Sequence, residues 1–233
     1  MNRSRHVATR ILLCLAVLSL LWTVASAARV KGKVKKGVYN SPARNFTVPV
    51  PQGLGMRVSD GFDRDELGYT GAVSFHDDFG SLRAIHYMSL PPDAVAALAR
   101  PDALEPGLKS WLETVAMPHW FVSAAPGSHL THEGFGTFEG LGAFFAVVVI
   151  PGGSPLVAMD PAGKSKRLDS TRGLVIFPRG RDLYMLATEL KGLADHFGPN
   201  KGKESQPTAG MEAEWLHYVE GMKPFYRSIT FLE

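Results

Sequence analysis

The sequence predicts an α+β protein in which helices pack on a mostly antiparallel β-sheet. Three pairs of strand-like segments are each joined by a short turn, which is typical of β-hairpins and therefore of antiparallel pairing. Apolar residues recur at helical spacing between the first two hairpins and again before the C-terminus. This order of elements brings helices onto a sheet, and 233 residues without an internal repeat fit a single domain.

The first strand is predicted at residues 44–50, where polar and apolar residues alternate. Pro49 and Pro51 either end this strand or place it at a sheet edge, because proline donates no ladder hydrogen bond. Residues 52–68 are rich in Gly and Asp, and we expect them to form a loop.

The first hairpin is predicted to join residues 71–76 to residues 81–89 through the turn at residues 77–80. If His76 pairs with Ser81, the two strands share one apolar face. That face consists of Val73, Phe75, Leu82, Ala84, His86 and Met88.

Two helices are predicted to follow. A short one covers residues 93–99, and a second carries an apolar stripe and is stopped by Pro118. The stripe places Trp111 in the core, together with Leu108, Leu112 and Val115.

The second hairpin is predicted to join residues 128–138 to residues 141–150 through Glu139 and Gly140. This register places Gly134 opposite Phe145, so that the aromatic ring covers the gap at the glycine. The second strand is apolar on both faces near its end, which is expected of a strand covered on both sides.

The third hairpin is predicted from residues 173–177 and 182–188, with Pro-Arg-Gly-Arg as its turn. The last helix is expected to end near Pro224, and a final strand covers residues 228–232. The apolar stripe of this helix comprises Met211, Trp215, Tyr218, Val219 and Met222.

The N-terminus has the features of a secretory signal peptide covering residues 1–27. A basic start is followed by an apolar stretch at residues 11–24 and by Ala-Ser-Ala, so we expect cleavage after Ala27. The protein is then periplasmic or secreted. The alternative is an uncleaved membrane anchor, since the uncharged run over residues 11–28 is at the lower limit of what crosses a bilayer.

Residues 28–36 form a basic leader before the domain at residues 37–233. We expect this leader to be solvated and disordered, and the alternative is peripheral contact with a membrane or an envelope polymer. Removal of the signal lowers the number of basic residues from 25 to 22, against 22 acidic residues, which argues against nucleic-acid binding. The basic residues of the leader are Arg29, Lys31, Lys33, Lys35 and Lys36.

The single cysteine, Cys14, lies within the predicted signal. Disulfides, thiolate catalysis and cysteine-ligated metals are therefore excluded from the mature chain. No motif for nucleophilic hydrolysis, zinc proteolysis or nucleotide binding occurs, and no cofactor is predicted.

Three residues at the first hairpin turn, His76, Asp77 and Asp78, are candidate metal ligands, although Asp is also a common turn residue. His129 and His132 are three positions apart on a strand, so they face opposite sides unless a bulge intervenes. His86 is expected to lie opposite Gly71 as a buried core histidine.

A long Gly- and Pro-containing segment separates the third hairpin from the last helix. Its residues Lys201, Lys203 and Glu204 are candidates for partner contact, and the alternative is a passive linker.

Both ends of the chain carry a distinctive pattern. At the start, residues 37–41 (Gly-Val-Tyr-Asn-Ser) lead into residues 46–51 (Phe-Thr-Val-Pro-Val-Pro). At the end, an amphipathic helix leads into Ser-Ile-Thr-Phe at residues 228–231. These two patterns resemble the two ends of PsbP-like and Mog1-like proteins. The resemblance implies an α/β/α sandwich over residues 37–233, and it carries no shared catalytic residues.

Two classes of function are compatible with these features. One is an exported, non-enzymatic binding or assembly protein of the cell envelope, with an unknown protein or polymer as its partner. The other is an extracytoplasmic hydrolase or metal-dependent enzyme whose site forms only in three dimensions. The missing motifs favour the first class.

Overall fold

The computed structural model describes residues 31–154, 156–159, 163–190 and 211–232, and for the last range it describes side chains from Val219 onward. The predicted signal peptide, the candidates Lys201, Lys203 and Glu204, and the side chain of Trp215 lie outside these described parts.

The described residues form a large and a small antiparallel sheet, together with a two-stranded ribbon. The strands are β1 Lys33–Lys35, β2 Val38–Asn40, β3 Phe46–Pro49, β4 Arg57–Arg64, β5 Tyr69–His76, β6 Leu82–Ser89, β7 His129–Phe138, β8 Leu141–Ile150, β9 Val157–Met159, β10 Ser165–Arg167, β11 Ser170–Arg179, β12 Asp182–Glu189 and β13 Thr230–Phe231. The large sheet has the order β4-β5-β6-β12-β11-β8-β7, and the small sheet has the order β1-β2-β3-β13.

Helices cover both faces of the large sheet. The helices are α1 Pro92–Leu98, α2 Pro101–Trp111, a π-helix Leu112–Val122 and α3 Met211–Ser228. The first three pack on one face, around Leu108, Trp111 and Phe121. The small sheet and α3 pack on the other face, around Phe46 and Phe225. The predicted α+β class and sandwich architecture are confirmed.

The second hairpin forms as predicted. The third also forms, but with a turn of only Gly180 and Arg181, because Pro178 and Arg179 pair with Leu183 and Asp182 within the strands. Gly134 pairs with Phe145 across β7 and β8, and the turn at Glu139 and Gly140 has a positive φ at both positions, which matches the twist of the strands. Burial of β8 on both faces places it inside the sheet, between β7 and β11. Trp111 is in the core, only 2% exposed.

The prediction of a loop over residues 52–68 is wrong, because Arg57–Arg64 forms β4. This strand lies at the edge of the large sheet, and most of its side chains are exposed. An exposed edge strand needs no apolar alternation, so its polar sequence resembles that of a loop.

The predicted register of the first hairpin is wrong by one residue. His76 pairs with Leu82 instead of Ser81, because the Asp77 carboxylate accepts hydrogen bonds from the N–H groups of Phe79 and Ser81 and draws Ser81 into the turn. The apolar residues of β6 are consequently divided between two buried faces. Ile85 and Tyr87 join Val73 and Phe75 on one face, while Ala84 and Met88 lie on the other.

Two predicted helix ends are also wrong. The chain continues through Pro118 as the π-helix to Val122, and α3 continues through Pro224 to Ser228. Both prolines are exposed, so their rings face solvent. The Pro118 carbonyl still accepts a hydrogen bond from the Ser123 N–H at 3.1 Å.

Part of the basic leader belongs to the fold. Residues 33–35 form β1, which pairs antiparallel with β2, so the expectation of disorder is wrong for these residues. The Gly32 N–H donates to the Asp60 carboxylate at 2.5 Å, and the Tyr39 ring lies so close to Gly32 that a side chain there would collide with it. Lys31, Lys33, Lys35 and Lys36 remain exposed.

Among the described residues, no helix is both long enough and apolar enough to cross a bilayer.

Candidate functional site

A groove of about 520 Å³ lies between the π-helix and the edge of the large sheet formed by β4, β5 and β6. Its volume is within the range of small-molecule sites. The groove is lined by Gly61, Phe62, Asp63, Thr70, Gly71, Ala72, His86, His119 and Trp120.

Paired residues of β4, β5 and β6 form the floor of the groove. Gly61 pairs with Ala72, which in turn pairs with His86, and Asp63 pairs with Thr70. Directly paired residues share a face of the sheet, so all five lie on the face that carries the π-helix. The intervening Phe62 side chain points to the opposite face and is buried there.

Gly61 leaves the β4 side of the floor open. A Cβ atom built at this position would have no other atom within 4 Å. The other lining glycine, Gly71, differs, because a Cβ there would lie 2.3 Å from atoms of the buried Tyr87 ring. A larger side chain at Gly61 therefore fills the groove without disturbing the core.

Aromatic side chains form the wall of the groove. The Trp120 and His86 rings stack with centroids 4.8 Å apart and an interplanar angle of 22°. Trp120 also meets the buried Trp111 edge-on, with the ring centroids 5.3 Å apart, which helps to hold it in place. The π-helix supplies both His119 and Trp120, and π-helical turns occur frequently at functional sites.

His86 is held neutral in the groove. Burial lowers the pKa of His86 to about 4, and the positive charge of Arg172 adds to this shift. The neutral ring offers one hydrogen-bond donor and one acceptor. The sequence-based placement opposite Gly71 is wrong by one position, because His86 lies opposite Ala72 and lines the groove.

Arg172 is positioned by a buried carboxylate. Glu189, whose side chain is 3% exposed, has an oxygen 3.8 Å from Nε of Arg172. It also accepts hydrogen bonds from the Thr171 N–H, at 2.8 Å, and from the Ser170 hydroxyl. Burial lowers the pKa of Arg172, and Glu189 partly offsets that effect. This arrangement fixes the charge that acts on His86.

We expect the folded state to lose stability in mild acid because of His86. Its pKa is about 4 in the folded state against an ordinary value of 6.5, so the unfolded chain binds this proton at a higher pH. The contribution of His86 is complete above pH 6.5 and is lost as the pH falls towards 4, by about 3 kcal/mol in total. Urea unfolding between about pH 7 and about pH 4.5 measures this loss.

The control for this prediction is an exposed histidine. His86→Gln should flatten the pH dependence, whereas His132→Gln should leave it unchanged, because His132 is exposed on β7. Equal slopes for wild type and His86→Gln would contradict the assignment.

Both acidic residues of the first hairpin turn bind other groups of the protein. Asp77 accepts hydrogen bonds from the Phe79 and Ser81 N–H groups at 2.9 and 3.0 Å and from the Ser81 hydroxyl. Asp78 pairs with Arg57 of β4. No group of three or more His, Cys, Asp or Glu residues within the described ranges is arranged to hold a metal ion. The candidate ligands His76, Asp77 and Asp78 thus lie together at the turn, with both carboxylates engaged.

A bulge changes the geometry of the two histidines on β7. The register shifts between Leu130 and His132, so His129 pairs with Val149 and His132 pairs with Val147. Partners two residues apart on β8 share a face, so the bulge brings both histidines to the same side. His129 lies 3.0 Å from the Gly127 carbonyl, and His132 lies 3.2 Å from the Thr131 hydroxyl.

The sequence gives no sign of most groove residues. Gly61, Asp63 and Thr70 fall in or beside the segment that was predicted as a loop, and His119 and Trp120 follow the proline that was predicted to end a helix. The π-helix brings His119 and Trp120 to the sheet.

Comparisons with known proteins find similarity in solved structures. No family model and no curated protein matches the chain. The solution structure of cyanobacterial PsbP from Synechocystis sp. PCC 6803 is similar, with 10% identity and a TM-score of 0.43, over 91% of this chain and 99% of that chain. A crystal structure from Bacteroides thetaiotaomicron VPI-5482 is 9% identical, with a TM-score of 0.37, over 86% of this chain and 50% of that one.

Proposed function

We propose that this chain is an exported, non-enzymatic binding protein of the cell envelope and that the groove is its ligand site. The open floor at Gly61, beside a fixed aromatic wall, is the observation that carries the proposal. A groove of this size, with a few convergent polar groups, is the usual form of a small-ligand site.

The state of His86 favours binding over catalysis. A general base works best when its pKa is near the working pH, whereas His86 has a pKa of about 4. Its ring is also stacked on Trp120, which suits a fixed recognition surface.

The signal-peptide features of residues 1–27 support export. Fusion of residues 1–40 to a reporter should send the reporter out of the cytoplasm, with cleavage after Ala27. Mass spectrometry that finds an intact Met1 on the exported protein would instead support a membrane anchor.

Binding is tested by sedimentation of the processed protein with isolated cell envelopes. Wild type should sediment with the envelopes, whereas Gly61→Leu should lose about tenfold in affinity because leucine fills the groove. Gly221→Leu is the matched control, since Gly221 on α3 also has open space at its Cβ position. If all three proteins sediment equally with the envelopes, or if none of them sediments, the proposed function is contradicted.

A further inference from the structure

We propose that the groove binds a neutral, polyhydroxylated ring, namely one sugar unit of an envelope glycan. This inference rests on the proposed function and specifies the ligand of the same site. It follows from the charge of the lining, its hydrogen-bonding groups and its shape.

The charge of the lining disfavours an anionic ligand. Among the described residues, neither lysine nor arginine lines the groove, and Asp63 contributes a carboxylate. Phosphate and sulfate groups are normally bound by cationic side chains or helix N-termini, so an acidic ligand would find no lining cation here and would face the Asp63 carboxylate. A neutral ligand avoids that cost.

The polar groups of the lining match hydroxyl groups. The Asp63 carboxylate accepts hydrogen bonds, and the Thr70 hydroxyl both donates and accepts. Neutral His86 likewise offers one donor and one acceptor. A sugar hydroxyl is itself both a donor and an acceptor, so it satisfies each of these groups in turn.

The shape of the groove suits a ring with an apolar face and a polar rim. The floor is flat where Gly61 and Ala72 lie side by side, and the stacked Trp120 and His86 provide an aromatic surface next to it. A pyranose ring presents C–H groups on its face and hydroxyls at its edge. Its face would pack on the floor beside the part of the Trp120 and His86 pair that borders the groove, and its edge would reach Asp63 and Thr70.

Isothermal titration calorimetry of the full processed protein tests this proposal. The probes are neutral trisaccharides of glucose, of mannose and of N-acetylglucosamine. A neutral octapeptide of alternating valine and threonine tests the competing possibility that an extended chain pairs with the β4 edge.

We expect at least one trisaccharide to bind, and we expect Gly61→Leu and Trp120→Ala to weaken its binding by about tenfold or more. Asp63→Asn should weaken it by a smaller factor, because the amide keeps only one acceptor oxygen. Phe135→Ala is the control for Trp120→Ala, since Phe135 is 39% exposed on β7, at the opposite edge of the sheet. The affinity of Phe135→Ala for the trisaccharide should equal that of wild type.

Trp120→Ala can also perturb folding, so Gly61→Leu decides the outcome. Trisaccharide binding that Gly61→Leu leaves unchanged would overturn the proposal, and so would binding of the peptide alone. If no trisaccharide binds while envelope sedimentation still depends on Gly61, the glycan inference fails and the proposed function stands.

Discussion

Replacement of Asp182 by alanine is expected to lower the free energy of unfolding by about 3–5 kcal/mol, because it leaves several buried hydrogen-bond donors without an acceptor. Asp182 is 5% exposed at the start of β12. Its carboxylate accepts hydrogen bonds from the Tyr69 hydroxyl at 2.6 Å, the Asn45 amide at 2.8 Å and the Tyr184 hydroxyl at 3.1 Å.

The tyrosine partners remain donors at neutral pH. Burial, together with the Asp182 carboxylate, raises the pKa of both Tyr69 and Tyr184 well above the ordinary value. Each hydroxyl that loses its acceptor in the alanine variant costs about 1–3 kcal/mol, which sets the expected size of the effect.

Urea unfolding of purified variants measures this prediction. Asp169→Ala is the matched control, because Asp169 is exposed and bonds only a loop N–H, that of Gly152, among the contacts described for it. We expect the control to lose less than about 1 kcal/mol. Asp182→Asn should fall between the two, since it keeps the side-chain volume. A loss below about 1 kcal/mol for Asp182→Ala would contradict the network's assigned role.

Phe46→Ala is expected to cost about 3–5 kcal/mol through the cavity that it leaves. Phe46 is fully buried in β3, with its ring centroid 5.1 Å from that of Tyr87 and 6.3 Å from that of Tyr184. Tyr87 and Tyr184 belong to the large sheet, so Phe46 holds the small sheet against it.

The adjacent Thr47 provides the control for Phe46. Its side chain points away from the core and is half-buried, so Thr47→Ala should change stability by less than about 1 kcal/mol. Both variants are measured by urea unfolding with wild type alongside. Similar losses for the two variants would show that the small sheet does not depend on this contact.

Local chemistry determined the elements that the sequence predicted well. The second and third hairpins are specified by turn residues that directly join two strand-like segments, so neighbours along the chain carry the whole signal. Trp111 was predicted in the core because helical periodicity is also local. The α+β class followed from the order of such elements, whereas the sandwich architecture was implied by the resemblance to PsbP-like and Mog1-like proteins.

Tertiary structure decided the features that depend on distant residues. Strand β4 has no apolar pattern because it lies at an edge, and the β5–β6 register depends on two buried faces instead of one. The bulge at Thr131 is likewise invisible in a short polar segment.

The groove and the Asp182 network show most clearly that contacts between distant residues cannot be read from the sequence. The groove joins Gly61 on β4, His86 on β6 and Trp120 on the π-helix, and Asp182 meets Asn45 across 137 residues of sequence. Periodicity and turn chemistry report only on neighbours in sequence, whereas these sites form when separate elements pack together. The sequence by itself therefore determined the class of fold and most of its elements, and packing decided which side chains meet.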